Sequence, residues 1–424
     1  MGVARAVAGC EVINVEQEDT MTRKRIVALA LVAALGLAVS ARPVSAQTPG
    51  VTATEIKIGN TNPYSGPASA YGTIGKAIAA FFKKANDEGG INGRKINFVT
   101  LDDGYSPPKT VEMVRRLVEQ EQVAFVFQTL GTPTNSAIHK YLNQQKVPHL
   151  FVATGATKWG DPQNFPWTMG WQPTYQTEGK IYAQYVMRNV KDPKIGILYQ
   201  NDDYGKDYVK GLKDGLGDAA KKLIVLEQTY ETSDPTIDSQ IANLKNSGAN
   251  VFYNVTIPKF AVQAIKKAHD IGWKPLHLLN NVSASVDVVL KPAGLEASKD
   301  LLTALYLKDP TDPQWKNDQG MKDWLVFMQK YYPEGNTKDF FNVYAYTVAQ
   351  GLVHVLKQCG NDLSRANIMK QAASIKDLSL PLLLPGIKLN TGPNDFYPIE
   401  QEQLAKFDGE RWVLFGEIFD AGKK

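Results

Sequence analysis

Cysteine is almost absent: the 424 residues hold two, Cys10 and Cys359. If the leader described below is removed, Cys359 stands alone and an internal disulfide is excluded. Its setting, Leu356-Lys357-Gln358-Cys359-Gly360, reads as a buried small residue at a helix end. Histidine is scarce as well. The five, His139, His149, His269, His277 and His354, form no i, i+4 pair and have no cysteine nearby, so no metal site is expected. Charge of one sign is missing too: 47 Lys and Arg oppose 43 Asp and Glu, and no basic block stands out, which argues against nucleic acid as a partner. There is no Gly-x-Ser-x-Gly elbow and no phosphate loop ending in Gly-Lys-Ser/Thr. The first β-α turn, Gly59–Gly66, lacks the G-x-G-x-x-G spacing that admits a pyrophosphate, so a dinucleotide is not expected. No catalytic residue and no cofactor are therefore expected, and the chain does not read as an enzyme.

One apolar run is present. Thr22-Arg23-Lys24-Arg25 precedes Ile26 to Val39, and Val44-Ser45-Ala46 follows before Gln47. A basic start, a short apolar stretch and small residues before a cut after Ala46 make an export signal, too short to span a bilayer comfortably. The expected mature protein begins near Gln47 and works outside the cytoplasm. The residues before Met21 fit no targeting pattern, and Met1 and Met21 both stand as starts. Val7-Ala8-Gly9-Cys10 has no useful apolar segment ahead of it, and lipidation there is not expected. Removing residues 1–46 takes five basic and four acidic residues from a net +4, leaving +3.

Beyond residue 46 strand-like and helix-like segments alternate. Glu55–Asn60, Lys95–Leu101, Val123–Gln128 and Pro148–Ala153 read as strands, the third nearly all apolar as in a covered parallel sheet. Between them Ile74, Ala77, Ile78, Phe81, Phe82 and Ala85 fall at helical spacing, then Pro107–Gln120, then a helix opened by Thr132-Pro133. The pattern restarts with Tyr175–Val190, and strands follow at Lys194–Tyr199, Leu223–Gln228 and Val251–Val255 with helices between. Two successive β-α runs predict an α/β chain of two doubly wound lobes. Phe165–Pro173 breaks the alternation and marks the first crossing between lobes. Helices at Gln314–Tyr331 and Asp339–Gln358 are expected to return to lobe one.

Two loops look built for a small anion. Thr132 reads as an N-cap and Pro133 as the first helical residue, leaving free amides and a hydroxyl beside Gly131 at a positive helix end. In Thr154-Gly155-Ala156-Thr157, Gly155 permits close approach and Thr157 adds a hydroxyl. Both lie where open α/β sheets take ligands. Asp102-Asp103 reads as a turn cap. Tyr71 and Tyr204 sit in turn-like contexts ahead of helices, where a ring faces a cleft more readily than a core.

Tyr64-Ser65-Gly66-Pro67, Tyr71-Gly72, Asn86-Asp87-Glu88-Gly89-Gly90-Ile91-Asn92-Gly93, Asp102-Asp103 with Pro107, Asp203-Tyr204-Gly205-Lys206 and Ala268–Trp273, in that order, resemble extracytoplasmic solute-binding proteins of the leucine/isoleucine/valine-binding type. The resemblance implies two lobes joined by three crossings, near Trp167–Pro173, Thr303–Leu307 and Pro385–Asn390. It implies lobe one at 47–169 plus 307–386 and lobe two at 170–306 plus 387–424, with residues 1–46 removed. It further implies a monomeric receptor that closes on its ligand like a flytrap and hands it to a membrane-embedded ABC permease. The implied ligand residues are Tyr71, Gly131, Thr132, Gly155, Thr157, Tyr204 and Asn280. Amino-acid binders of this type place a carboxylate where this chain has Asn280 or Asn281. A buried ammonium without that partner is costly. The expected ligand is thus a small carboxylate lacking the amine, an aromatic acid among the candidates. Binding of branched-chain or other amino acids, or a sensor on the same fold, is the alternative.

Overall fold

The computed structural model describes residues 48–422; the expected signal segment lies outside them. Among the described residues no helix is long and apolar enough to cross a membrane. Two sheets organise the chain. The first holds β1 (Glu55–Asn62), β2 (Lys95–Asp102), β3 (Phe125–Phe127) and β4 (His149–Leu150), all parallel, in the order β2-β1-β3-β4. The second holds β5 (Ile195–Gln200), β6 (Ile224–Tyr230), β7 (Val251–Val255), β8 (Leu276–Leu279) and β9 (Leu302–Leu305), parallel in the order β6-β5-β7-β8-β9. The antiparallel strands β10 (Gln401–Phe407) and β11 (Trp412–Leu414) extend it.

Each lobe thus repeats one doubly wound order, in which the chain reverses direction between its first and third strands. The loops leaving those two strands diverge and open a crevice at the carboxyl edge of the sheet. The strands are apolar on both faces because helices cover both: β7 is buried along its whole length.

Six helices position the site: α1 (Gly72–Asp87), α2 (Pro107–Arg115), α3 (Thr132–Gln144), α4 (Tyr175–Asn189), α5 (Asp203–Leu216) and α6 (Phe340–Gln358). The last follows β9 in sequence yet packs on α1, because Phe81 meets Tyr346 edge-on at 5.1 Å and Tyr71 meets Phe341 at 4.9 Å. The chain therefore passes between the lobes three times, after β4, after β9 and before β10.

Some strands are shorter than their apolar runs suggest. Gln128 and Phe151 adopt left-handed backbone, with φ of 54° and 51°, which ends β3 and β4 sooner than the expected Gln128 and Ala153. The helix expected from Gln314 starts at Gln319, preceded by a separate turn at Pro313–Trp315. The helix expected from Pro107 to Gln120 ends its regular part at Arg115 and finishes in a wider turn.

Candidate functional site

The carboxyl edges of the two sheets face each other across a narrow gap lined from both sides. Nearly every residue lining it stands a few positions beyond a strand or opens a helix. From lobe one come Tyr71 and Ile74 after β1, Tyr105 after β2, Leu130, Gly131 and Thr132 after β3, and Ala153 after β4. From lobe two come Tyr204 after β5, Ile257 after β7, Asn281 and Val282 after β8, and Tyr306 after β9. Gln172, Tyr175, Phe340, Phe341 and Tyr344 complete it. Eight of these residues are aromatic and none is charged.

Three helix caps aim the rings. Asp202 accepts the amides of Tyr204 (2.9 Å) and Gly205 (3.3 Å), Thr174 accepts that of Thr177 (3.1 Å), and Asp339 that of Phe341 (2.9 Å). Each cap starts a helix at the gap and fixes the direction of its first side chains. Gly205 has to be glycine, since a Cβ there would run into the Gln200 backbone.

On lobe one the anchor is backbone. Helix α3 opens on the gap at Thr132, and Gly131, with φ of 100°, is its cap. The first amides of a helix have no acceptor within it and carry the positive end of its dipole. A Cβ on Gly131 would strike the Tyr105 ring; Tyr105 itself has φ of 61° and is held there by Asp103, which accepts its amide at 3.0 Å. Beneath the loop His149 Nε2 lies 2.6 Å from Thr129 Oγ1 and 3.0 Å from Asn135 Oδ1, and Asn135 Nδ2 donates to the Gly131 carbonyl at 2.7 Å. Burial holds His149 neutral, with its pKa well below the usual histidine value. His149 thus supports the loop from below.

On lobe two the wall is a stack of phenols. Tyr175 and Tyr208 stack at 4.2 Å, and Tyr204 meets them edge-on at 5.4 and 5.5 Å. Burial raises all their pKa values, so they stay protonated donors. Tyr344 lines the gap from α6 with its hydroxyl buried. Tyr71 bridges the walls: its hydroxyl donates to the Val282 carbonyl at 2.9 Å.

The model of the family described as "Periplasmic binding protein" matches residues 55–404. The chain belongs to that family. It is 24% identical over 407 residues to Leu/Ile/Val-binding protein homolog 7 of Brucella abortus, covering 92% of this chain and 94% of that one. It is 26% identical over 334 residues to Leu/Ile/Val-binding protein homolog 1 of Brucella suis, covering 76% and 84%. Among solved structures, a branched chain amino acid ABC transporter protein from Thermus thermophilus with bound valine superposes with a TM-score of 0.77 at 17% identity, over 88% of this chain and 98% of that one. A fatty acid ABC transporter substrate-binding protein from Thermomonospora curvata gives 0.73 at 22% identity, over 88% and 95%.

Four of the seven residues singled out in the sequence, Tyr71, Gly131, Thr132 and Tyr204, come together at the gap. Thr132 is the first helical residue rather than the cap, and its hydroxyl pairs with that of Thr154 at 2.6 Å. The other three stand behind or beside the gap. Gly155 is small because a Cβ would meet the Tyr175 ring and the Pro173 carbonyl. Thr157 gives its amide (2.8 Å) and hydroxyl (2.9 Å) to Asp207 of lobe two, closing the seam. Asn280 donates to the Tyr204 hydroxyl at 2.6 Å and so supports the ring from behind, while its neighbour Asn281 reaches the gap. Sequence reading passed over Tyr175, Phe340, Phe341 and Tyr344. The signal was a cap residue directly before a ring: Thr174 before Tyr175, and Asp339 before Phe340 and Phe341.

Proposed function

We propose that this chain is the periplasmic receptor of an ABC importer of the branched-chain amino acid type, and that it captures a small organic carboxylate, aromatic acids included, between two closing lobes. The carrying observation is the uncharged, ring-lined gap with a helix N-terminus as its polar end. The amides at Thr132 and the Tyr344 hydroxyl supply donors for a carboxylate, and the rings supply flat apolar walls. An amino acid would bring an ammonium, and no carboxylate lines the gap to meet it.

Lobe one is taken as 47–169 plus 307–386 and lobe two as 170–306 plus 387–424, with export directed by residues 22–46. Tyr71, Gly131, Thr132 and Tyr204 are assigned to direct contact, and Gly155, Thr157 and Asn280 to support of those contacts. The permease partner follows from the family, and the receptor is assigned as a monomer without catalytic activity. Mass spectrometry of small molecules released from protein purified from the periplasm should find an organic acid. A thermal-shift panel should give larger upward shifts with benzoate-like and 2-oxo acids than with leucine, isoleucine or valine. Stabilisation by the amino acids alone would return the ligand to the class named for the valine-bound Thermus protein.

A further inference from the structure

Directly behind the lobe-two wall lies a carboxyl group that the binding site does not expose. Glu178, on α4, is 2% exposed. Its Oε1 accepts the Asn281 amide at 2.7 Å and the Tyr182 hydroxyl at 2.8 Å, and its Oε2 accepts the Tyr208 hydroxyl at 2.7 Å. All three donors are uncharged. The titratable groups that face it are Tyr175 and Tyr182 on its own helix, Tyr208 from α5, Tyr253 from β7, Tyr306 just after β9 and Glu402 from β10; none is a cation. One peptide unit, that of Asn281, separates it from the gap.

We propose that Glu178 couples anion capture in the gap to uptake of one proton from solvent. The inference rests on the carboxylate reading above. An anion held in the gap puts a second negative charge into the same water-poor space, and none of the residues lining the gap is a cation that would offset the repulsion. Protonation of Glu178 removes it. The proton has a place to go: Tyr182 also lies 2.8 Å from the Leu279 carbonyl. Once Glu178 Oε1 is protonated, it can donate to the Tyr182 oxygen while that hydroxyl turns to Leu279, and Oε2 keeps the bond from Tyr208. No donor is stranded. A zwitterion, whose ammonium favours the ionised glutamate, would not draw the proton in.

Burial already raises the Glu178 carboxyl from 4.5 to about 7. A bound anion raises it further. Below that value the free protein already carries the proton and binding is flat with pH. Above it, affinity should fall by up to about tenfold per pH unit until the bound-state value is passed.

Isothermal calorimetry with benzoate in phosphate and in Tris at about pH 7.5 reads the linkage as a difference in observed heat. The expected result is uptake approaching one proton per benzoate in the parent. In Glu178→Gln, binding should persist with no uptake and no pH dependence. Tyr208→Phe removes a donor to the carboxylate, raises its pKa and should move the uptake to higher pH, which gives a second reading if the glutamine variant does not fold. Equal heats in both buffers with a constant Kd would overturn the proposal while leaving the anion reading standing. Uptake undiminished in Glu178→Gln would overturn it as well. Failure of every carboxylate to bind overturns the anion reading, and the coupling with it.

Discussion

Lobe one and lobe two carry the same strand order, yet they meet the gap with different materials. Lobe one offers main chain. Three non-glycine residues at the ends of its strands, Tyr105, Gln128 and Phe151, hold left-handed backbone, as does Gly131 at the opening of α3. Such residues cost of order 1–3 kcal/mol each and persist only where the surroundings fix them; here Asp103 accepts the Tyr105 amide, and the Gln128 side chain donates to the Phe151 carbonyl. Lobe two offers side chains: stacked phenols over a buried glutamate, with ordinary backbone beneath. A fixed anchor on one side and a wall of rings on the other divide the work. In the proposed reading the first sets where a charge sits, and the second sets what shape surrounds it.

If the division is right, disturbing the lobe-one backbone should cost most. Gly131→Ala forces a Cβ against the Tyr105 ring at φ of 100° and should lower stability by about 2–4 kcal/mol, read by urea denaturation, with ligand binding lost. An unchanged midpoint would show that the loop is pliable. Next in size is a side-chain comparison. Thr132→Ala should weaken a bound carboxylate by about 1–2 kcal/mol, whereas Tyr204→Phe, which frees only the Asn280 amide, should cost about 1 kcal/mol of stability and less in affinity. Calorimetry showing the reverse order would move the anchor to lobe two.

The walls should also differ toward acid. Burial against Trp159 and Phe165 lowers His139 of lobe one to about 4. Its folded value lies below the unfolded one, so it destabilises only as pH falls from about 6.5 toward 4. Glu178 of lobe two is raised, so its burial costs stability as pH climbs from about 4.5 through 7. Thermal melts should show His139→Phe flattening the acid side and Glu178→Gln the neutral side. Identical profiles for the two variants would erase the distinction. The smallest effect belongs to the seam. Lys158 and Asp203 pair at 2.7 Å between lobes but are largely exposed, so Lys158→Ala should shift closure by about 0.2–1 kcal/mol and vanish in high salt. Small-angle scattering with and without ligand measures it.

Much of this was legible in the sequence. Apolar periodicity placed most strands and helices. The rule that ligands sit beyond the carboxyl ends of parallel strands pointed to Tyr71, Thr132 and Tyr204. What stayed hidden depended on tertiary pairing. The antiparallel strands β10 and β11 join the second sheet only after the third crossing, so local pattern gave no partner for them. The ends of β3 and β4 turn on the backbone of Gln128 and Phe151, residues whose types do not announce left-handed geometry. Thr157 looked like an anion donor because its acceptor, Asp207, belongs to the other lobe. Glu178 stands in the first turn of an ordinary amphipathic helix, where nothing in the local spacing marks it. Only the packing of Tyr182, Tyr208 and Asn281 around it reveals a buried acid.

The central claim is that the gap holds a carboxylate and has no place for an ammonium. Calorimetry on one pair of ligands that differ only at that atom tests it most directly: leucine against 4-methyl-2-oxopentanoate, with 4-hydroxybenzoate as the aromatic counterpart. The account predicts that at least one of the acids binds and that leucine binds at least about tenfold more weakly. Tight leucine binding with no heat from either acid would contradict it.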